Sequence, residues 1–158
     1  MKYKRLSNEE LQELEAEFVN FLASNQVTAP EWLDLKDTNQ ERVEELISIF
    51  SDMVFDNVLK KIKYVEHVTR QDWMVFHCKE EGLHMIGLQL SDESGLDLTD
   101  PDFFSQWDQA PDSVGITMYS KEQAYAEERE KVIFQLLESG CSIVDEKVFN
   151  MLLEHSRK

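Results

Sequence analysis

The run from Asn39 to Lys79, "NQERVEELISIFSDMVFDNVLKKIKYVEHVTRQDWMVFHCK", changes its hydrophobic period part way along. Val43, Leu46, Ile47, Phe50, Met53, Val54 and Val58 recur at the spacing of one helix face. Ile49, Phe55, Leu59 and Ile62 widen that face past half the circumference, which suits a helix central in the fold or one partly buried against a second copy. From Ile62 the texture becomes short β-branched and aromatic runs, "IKYVEHVT", "DWMVFHCK" and "LHMIGLQL", parted by "RQ" and "EEG". That is the pattern of a three-stranded antiparallel meander. A wide apolar helix feeding directly into a meander fixes the class as α+β: an antiparallel sheet of about four strands with helices packed mainly on one face.

The flanks supply the remaining elements. Ser7 followed by Glu10 forms a capping box, and Leu11, Leu14, Phe18, Phe21 and Leu22 give the helix after it one apolar face. Thr28 and Pro30 start a short turn of helix around Trp32. Beyond the meander, "VGITMYS" reads as a fourth strand. Ser120 then caps a helix "KEQAYAEEREKVIFQLLESG", with Gln123 in the capping-box position and an end at Gly140, and Ser142 begins a last helix, "IVDEKVFNMLLEHSRK". No repeat, low-complexity tract or linker interrupts the 158 residues, so a single globular domain over 1–158 is expected.

With 32 acidic and 16 basic residues the formal charge is −16, which opposes approach to phosphate backbones and anionic membranes. Lys60 and Lys61 fit the cation preference of a helix C-terminus rather than a nucleic-acid patch. Between Lys79 and Lys121 there is no Lys or Arg, while Glu80, Glu81, Asp92, Glu93, Asp97, Asp100, Asp102, Asp108 and Asp112 all fall there. Cys78 and Cys141 are far apart and form no C-x-x-C unit, which fits a reducing compartment. With no apolar signal segment after "MKYKRLSNEE" and no run of about eighteen apolar residues, the expected location is cytoplasmic, away from membranes.

"VFHCKEEGLHMIGL" is the one stretch that resembles a chemical site. A two-residue loop, Glu80 and Glu81, sets His77 opposite His84 but asks for positive φ at two glutamates. A three-residue loop ending in a bulged Gly82 pairs Cys78 with His84, Phe76 with Ile86 and Met74 with Leu88. That register is the expected one, and it makes Cys78 and His84, with His67 from the preceding strand, the candidate metal ligands, short of the four that a closed zinc site takes. The acidic loop 92–112 is the other candidate for metal or enzyme chemistry, although "DESGLDLTDPD" does not match an EF-hand. Phe103, Phe104 and Trp107, after Pro101, are candidate partner contacts together with Asp97, Asp100 and Asp102; docking of the loop onto its own core is the plainer account of the aromatics. No G-x-G-x-x-G, P-loop, G-x-S-x-G or H-E-x-x-H is present, and no catalytic residue or cofactor is implied.

The segments "YKRLSNEELQELEAEFVNFLASNQVTAPEW", "SDMVFDNVLKKIKYVEH" and "VFHCKEEGLHMIGL" resemble a family of bacterial proteins of unknown function. The resemblance implies one intact domain and brings no site residues. The expected function is a non-enzymatic, acidic protein–protein interaction module (an adaptor, an immunity-type inhibitor or a small chaperone) that takes a basic or apolar-faced protein partner. A homodimer through Val43 to Val58 is a further expectation. The alternative is a metal-binding protein or small enzyme using Cys78, His84 and His67 or the acidic loop.

Overall fold

A computed structural model of the chain describes residues 1–109 and 115–156. Asp112, Val114 at the head of the expected fourth strand, and Arg157 and Lys158 lie outside the described residues. The contacts gather into two compact units, Met1–Lys60 and Lys61–Lys158. No linker marks the division, because the long helix hands over to the first strand through Ile62 and Lys63 alone.

The first unit is helical: α1 (Asn8–Glu13), α2 (Glu15–Ser24), α3 (Ala29–Thr38) and α4 (Gln40–Lys61). The single N-terminal helix expected from periodicity breaks at Leu14, whose φ of −103° and ψ of 26° lie off the helical values. Leu11 and Leu14 nevertheless pack on the same core as Phe18. The capping box expected at Ser7 forms, and Thr28, expected as a simple cap, makes a second one with Glu31. Ser7 Oγ accepts from Glu10 N at 3.1 Å while Ser7 N donates to Glu10 Oε1 at 3.0 Å, and Thr28 and Glu31 repeat the exchange at 3.3 and 3.4 Å. The helix begun at Thr28 continues to Thr38, well past one turn.

The core of this unit is aromatic. Phe50 of α4 is fully buried, with its ring centroid 4.9 Å from Phe18 and 5.3 Å from Phe21. Val43, Leu46 and Ile47 join it, which accounts for one side of the wide α4 stripe, while Ile49, Met53 and Val58 remain exposed. The segment before α1 lies along α4: Tyr3 Oη donates to Asp56 Oδ1 at 2.6 Å, and Leu6 N donates to the buried Ser51 Oγ at 3.0 Å.

The second unit holds an antiparallel sheet ordered β4-β3-β2-β1-β5. Its strands are β1 (Tyr64–Val68), β2 (Asp72–Cys78), β3 (Gly82–Leu90), β4 (Ile116–Ala124) and β5 (Ser142–Ile143), and its helices are α5 (Phe103–Gln109), α6 (Arg129–Glu138) and α7 (Glu146–Ser156). The fold is α+β with helices at both ends, and among the described residues the strands number five rather than four. The fifth occupies Ser142 and Ile143, where a helix start was expected; α7 starts at Glu146 instead. Ser120 to Ala124, expected to cap and open a helix, belong to β4. Nine consecutive pairs with β3, from Gly82↔Ala124 to Leu90↔Ile116, outweigh the helix preference of "KEQA".

The hairpin takes the register that the turn argument disfavoured. Lys79 N donates to Gly82 O at 3.1 Å, so the loop is Glu80 and Glu81, with Cys78 opposite Leu83 and His77 opposite His84. Phe76 faces Met85, and Met74 faces Gly87. The premise that failed was positive φ: among the described residues other than glycine only Gln26 has it, so the two glutamates turn the chain at negative φ. Gly82 serves the sheet rather than the turn, since a Cβ there would stand 2.5 Å from Gln123 O of β4.

Trp73, Val75, Ile86, Leu88 and Leu90 line one sheet face and pack with Leu98, Phe103 of α5, and Phe149 and Leu152 of α7. At the start of α6 stands Arg129, whose guanidinium donates to the carbonyls of Cys78 at 3.1 Å, Lys79 at 3.3 Å and Ile62. Gly140, just past the end of α6, has φ of +114° and stands against the His67 ring.

Candidate functional site

The register separates the expected metal ligands. Cys78 and His67 belong to one sheet face and His84 to the other, beside His77, so the Cys78–His84 pairing is corrected along with the hairpin. Among the described residues no three His, Cys, Asp or Glu side chains group so as to hold a metal ion. Cys78 is 3% exposed, and burial pushes its thiol up to about 11 despite the nearby Arg129. A thiol held protonated and covered is a poor nucleophile. At pH near 8, iodoacetamide is expected to modify Cys78 in urea-unfolded protein and to leave it intact in folded protein, as read by peptide mass; rapid native labelling would contradict the burial. The Nδ1 of His67 is buried and makes no hydrogen bond among the described residues.

The acidic, aromatic loop is occupied by its own structure. Asp97 Oδ1 accepts from Thr99 N at 2.8 Å and Thr99 Oγ1 at 2.5 Å, and its Oδ2 accepts from Arg70 Nε at 3.1 Å. The Thr99 bonds chiefly, then Arg70, hold the Asp97 carboxyl below the usual range. Asp100 accepts from Asp102 N at 2.9 Å and from Gln106 Nε2 at 3.2 Å. The exposed Asp102 supplies its backbone N–H to that turn, so the loop carboxylates act largely as turn and cap groups. Of the candidate partner contacts, Phe103 is only 2% exposed, and Phe104 and Trp107 are half-buried against the same core.

The first unit carries a feature that no sequence motif announced: an open groove of about 610 Å³ between its helices. Its apolar floor is formed by Leu11, Phe18, Trp32, Val43 and Ile47. The Trp32 indole meets Phe18 edge-on, centroids 5.2 Å apart at 81°, and Lys36 Nζ stands 5.8 Å from the indole centroid. On the rim, Arg5 grips Glu44 with two bonds, Nε to Oε2 at 2.7 Å and Nη2 to Oε1 at 3.2 Å, which holds the Glu44 carboxyl below its ordinary range. Asn8, Gln12 and Gln40 bring amides, and Glu15 and Lys36 add one charge of each sign.

The lining includes no histidine, cysteine or serine, and Glu44 is committed to Arg5. The arrangement therefore suits recognition rather than bond-making: an apolar floor to take a bulky side chain and amides to meet backbone groups around it. Trp32 and Lys36, four apart on α3, were the available sequence signal, and it is a faint one.

No helix among the described residues is long and apolar enough to cross a membrane. No curated protein and no solved structure matches the chain. One family model does, over residues 1–157, and by that match the chain belongs to DUF6495, a family of unknown function.

Proposed function

We propose that the protein is a non-enzymatic interaction module that takes an apolar side chain of a protein partner into the groove of its helical unit. The observation that carries this reading is the groove itself, a volume of about 610 Å³ with the Trp32 and Phe18 rings in its floor and amides at its rim. That size lies within the roughly 300–1,000 Å³ common for recognition pockets. The rim charges balance, Arg5 and Lys36 against Glu15 and Glu44, so the contact is made by shape and burial. The net charge of −16 acts at longer range and selects a partner segment that is neutral or basic.

Gln12 is exposed on the rim, which makes it the position for a test that spares the core. A photo-crosslinking amino acid at Gln12, in the chain expressed in its own cell, is expected to capture a protein that the same probe at Glu93 does not. Gln12→Trp, which fills the mouth of the groove, is then expected to weaken that complex at least about tenfold, roughly 1.4 kcal/mol, by titration of the purified pair. Equal capture at both positions, or unchanged affinity, removes the reading.

A further inference from the structure

His77 and His84 face each other directly across β2 and β3, on the sheet face that α7 covers. The two rings share one lid: Phe149 of α7, 4% exposed, has its ring centroid 5.4 Å from His77 and 5.3 Å from His84. His77 is further closed in by Tyr64, stacked at 4.5 Å and 18°. His84 retains a polar side, with Nε2 2.9 Å from Ser120 Oγ and Nδ1 3.8 Å from Glu122 Oε1. Two imidazoles beneath one buried phenyl ring form an apolar clasp while both are neutral. When both are charged, like charges meet across the strands under an apolar cover.

We propose that this pair is an acid-released latch: protonation of His77 and His84 loosens the N-terminal half of α7 from the sheet and uncovers the apolar face beneath Phe149. The surroundings of His77 favour release. Burial lowers its affinity for a proton, and Lys79, His84 and Lys63 add to that in the same direction. Facing the pair from the packed elements are the ring of Tyr64 on β1 and Ser120 and the 69%-exposed Glu122 on β4, while Glu146 on α7 acts on Tyr64. Asp145, before α7, is turned to the backbone N–H of Lys147 at 2.9 Å. Glu122 is the one carboxylate within ion-pair reach of either ring among the described residues, and its exposure limits what it offsets.

The direction of the effect follows. Because the folded state holds His77 below its ordinary value of 6.5, the unfolded or undocked chain binds the proton more readily. Docking is at full strength above 6.5 and is lost as the pH falls through that value toward the folded one. Acid release thus follows from a half-buried pair under an apolar lid, and a fully exposed pair would lack it.

Hydrogen exchange of the full chain, corrected for intrinsic rates, tests the latch. Between about pH 7.5 and about pH 5, protection at the α7 amides is expected to fall at least about tenfold while β2 and β3 hold theirs. His77→Phe with His84→Gln, which keeps an aromatic ring at the first position and a hydrogen-bonding group at the second, is expected to abolish that pH dependence. Acid loss that persists in the double variant, or no loss in the wild type, overturns the proposal. Should the double variant not fold, NMR titration of the wild-type imidazoles decides, and a His77 that titrates at or above 6.5 overturns it equally.

Discussion

Phe50→Ala is expected to remove about 3–5 kcal/mol from the stability of the helical unit, the range for deleting a fully buried ring. Phe50 is 0% exposed and is held by two other rings, tilted 57° to Phe18 and 46° to Phe21. Truncation loses the transfer free energy of the ring and leaves a cavity that neither partner can fill without leaving its helix. Since whole domains are stable by only about 5–15 kcal/mol, the variant should sit near the edge of folding. Urea titration followed by far-ultraviolet circular dichroism reads the change, and a loss under about 1 kcal/mol would mean that Phe18 and Phe21 repack into the space. Phe50→Leu, which restores most of the volume, should recover more than half of it.

Arg129→Met is the second large effect, expected at about 3 kcal/mol or more in the sheet unit, since each buried carbonyl left unmatched costs roughly 1–3 kcal/mol. The Arg129 side chain is 15% exposed, and its guanidinium donates to three carbonyls, those of Ile62, Cys78 and Lys79, where β2 ends and the chain enters β1. Methionine keeps much of the apolar stem, so the difference reports the lost donors rather than lost packing. Lysine brings a charge but no planar fork, and one ammonium cannot reach three divergent oxygens; Arg129→Lys should recover less than half of the loss. Exchange at the Cys78 amide, which donates to Lys63 O at 2.7 Å, should rise first. Tyr125, whose hydroxyl also donates to Lys79 O, preserves part of the cover.

What the sequence could and could not specify divides by range. The boxes at Ser7 and Thr28 are contained within four residues each, and they form as their spacing requires. The 22-residue α4 follows from a period repeated many times over. Ser120 to Ala124 carry equally good local signals for a helix, yet they are claimed by a strand more than thirty residues earlier in the chain, and no local pattern records that. The hairpin failed on a premise about φ rather than on its hydrophobic pattern: both registers bury something, and Gly82 was read as a turn residue when β4 is what requires it. For the candidate site the lesson is similar. The groove exists because Arg5, Leu11, Trp32 and Glu44, from different segments, are brought together, whereas the compact "FHCKEEGLH" sends its Cys78 and His84 to opposite sides of the sheet.

The two margins of the sheet are unequal. β5 offers two residues, while β4 presents nine with a single strand neighbour among the described residues. Any lengthening of the sheet, whether useful or pathological, therefore has one direction open to it. The adjacent Lys121 and Glu122 stand on that margin, and charged side chains there discourage stacking of one molecule on the next. What guards that open margin against an approaching strand is a pair of neighbouring side chains of opposite sign.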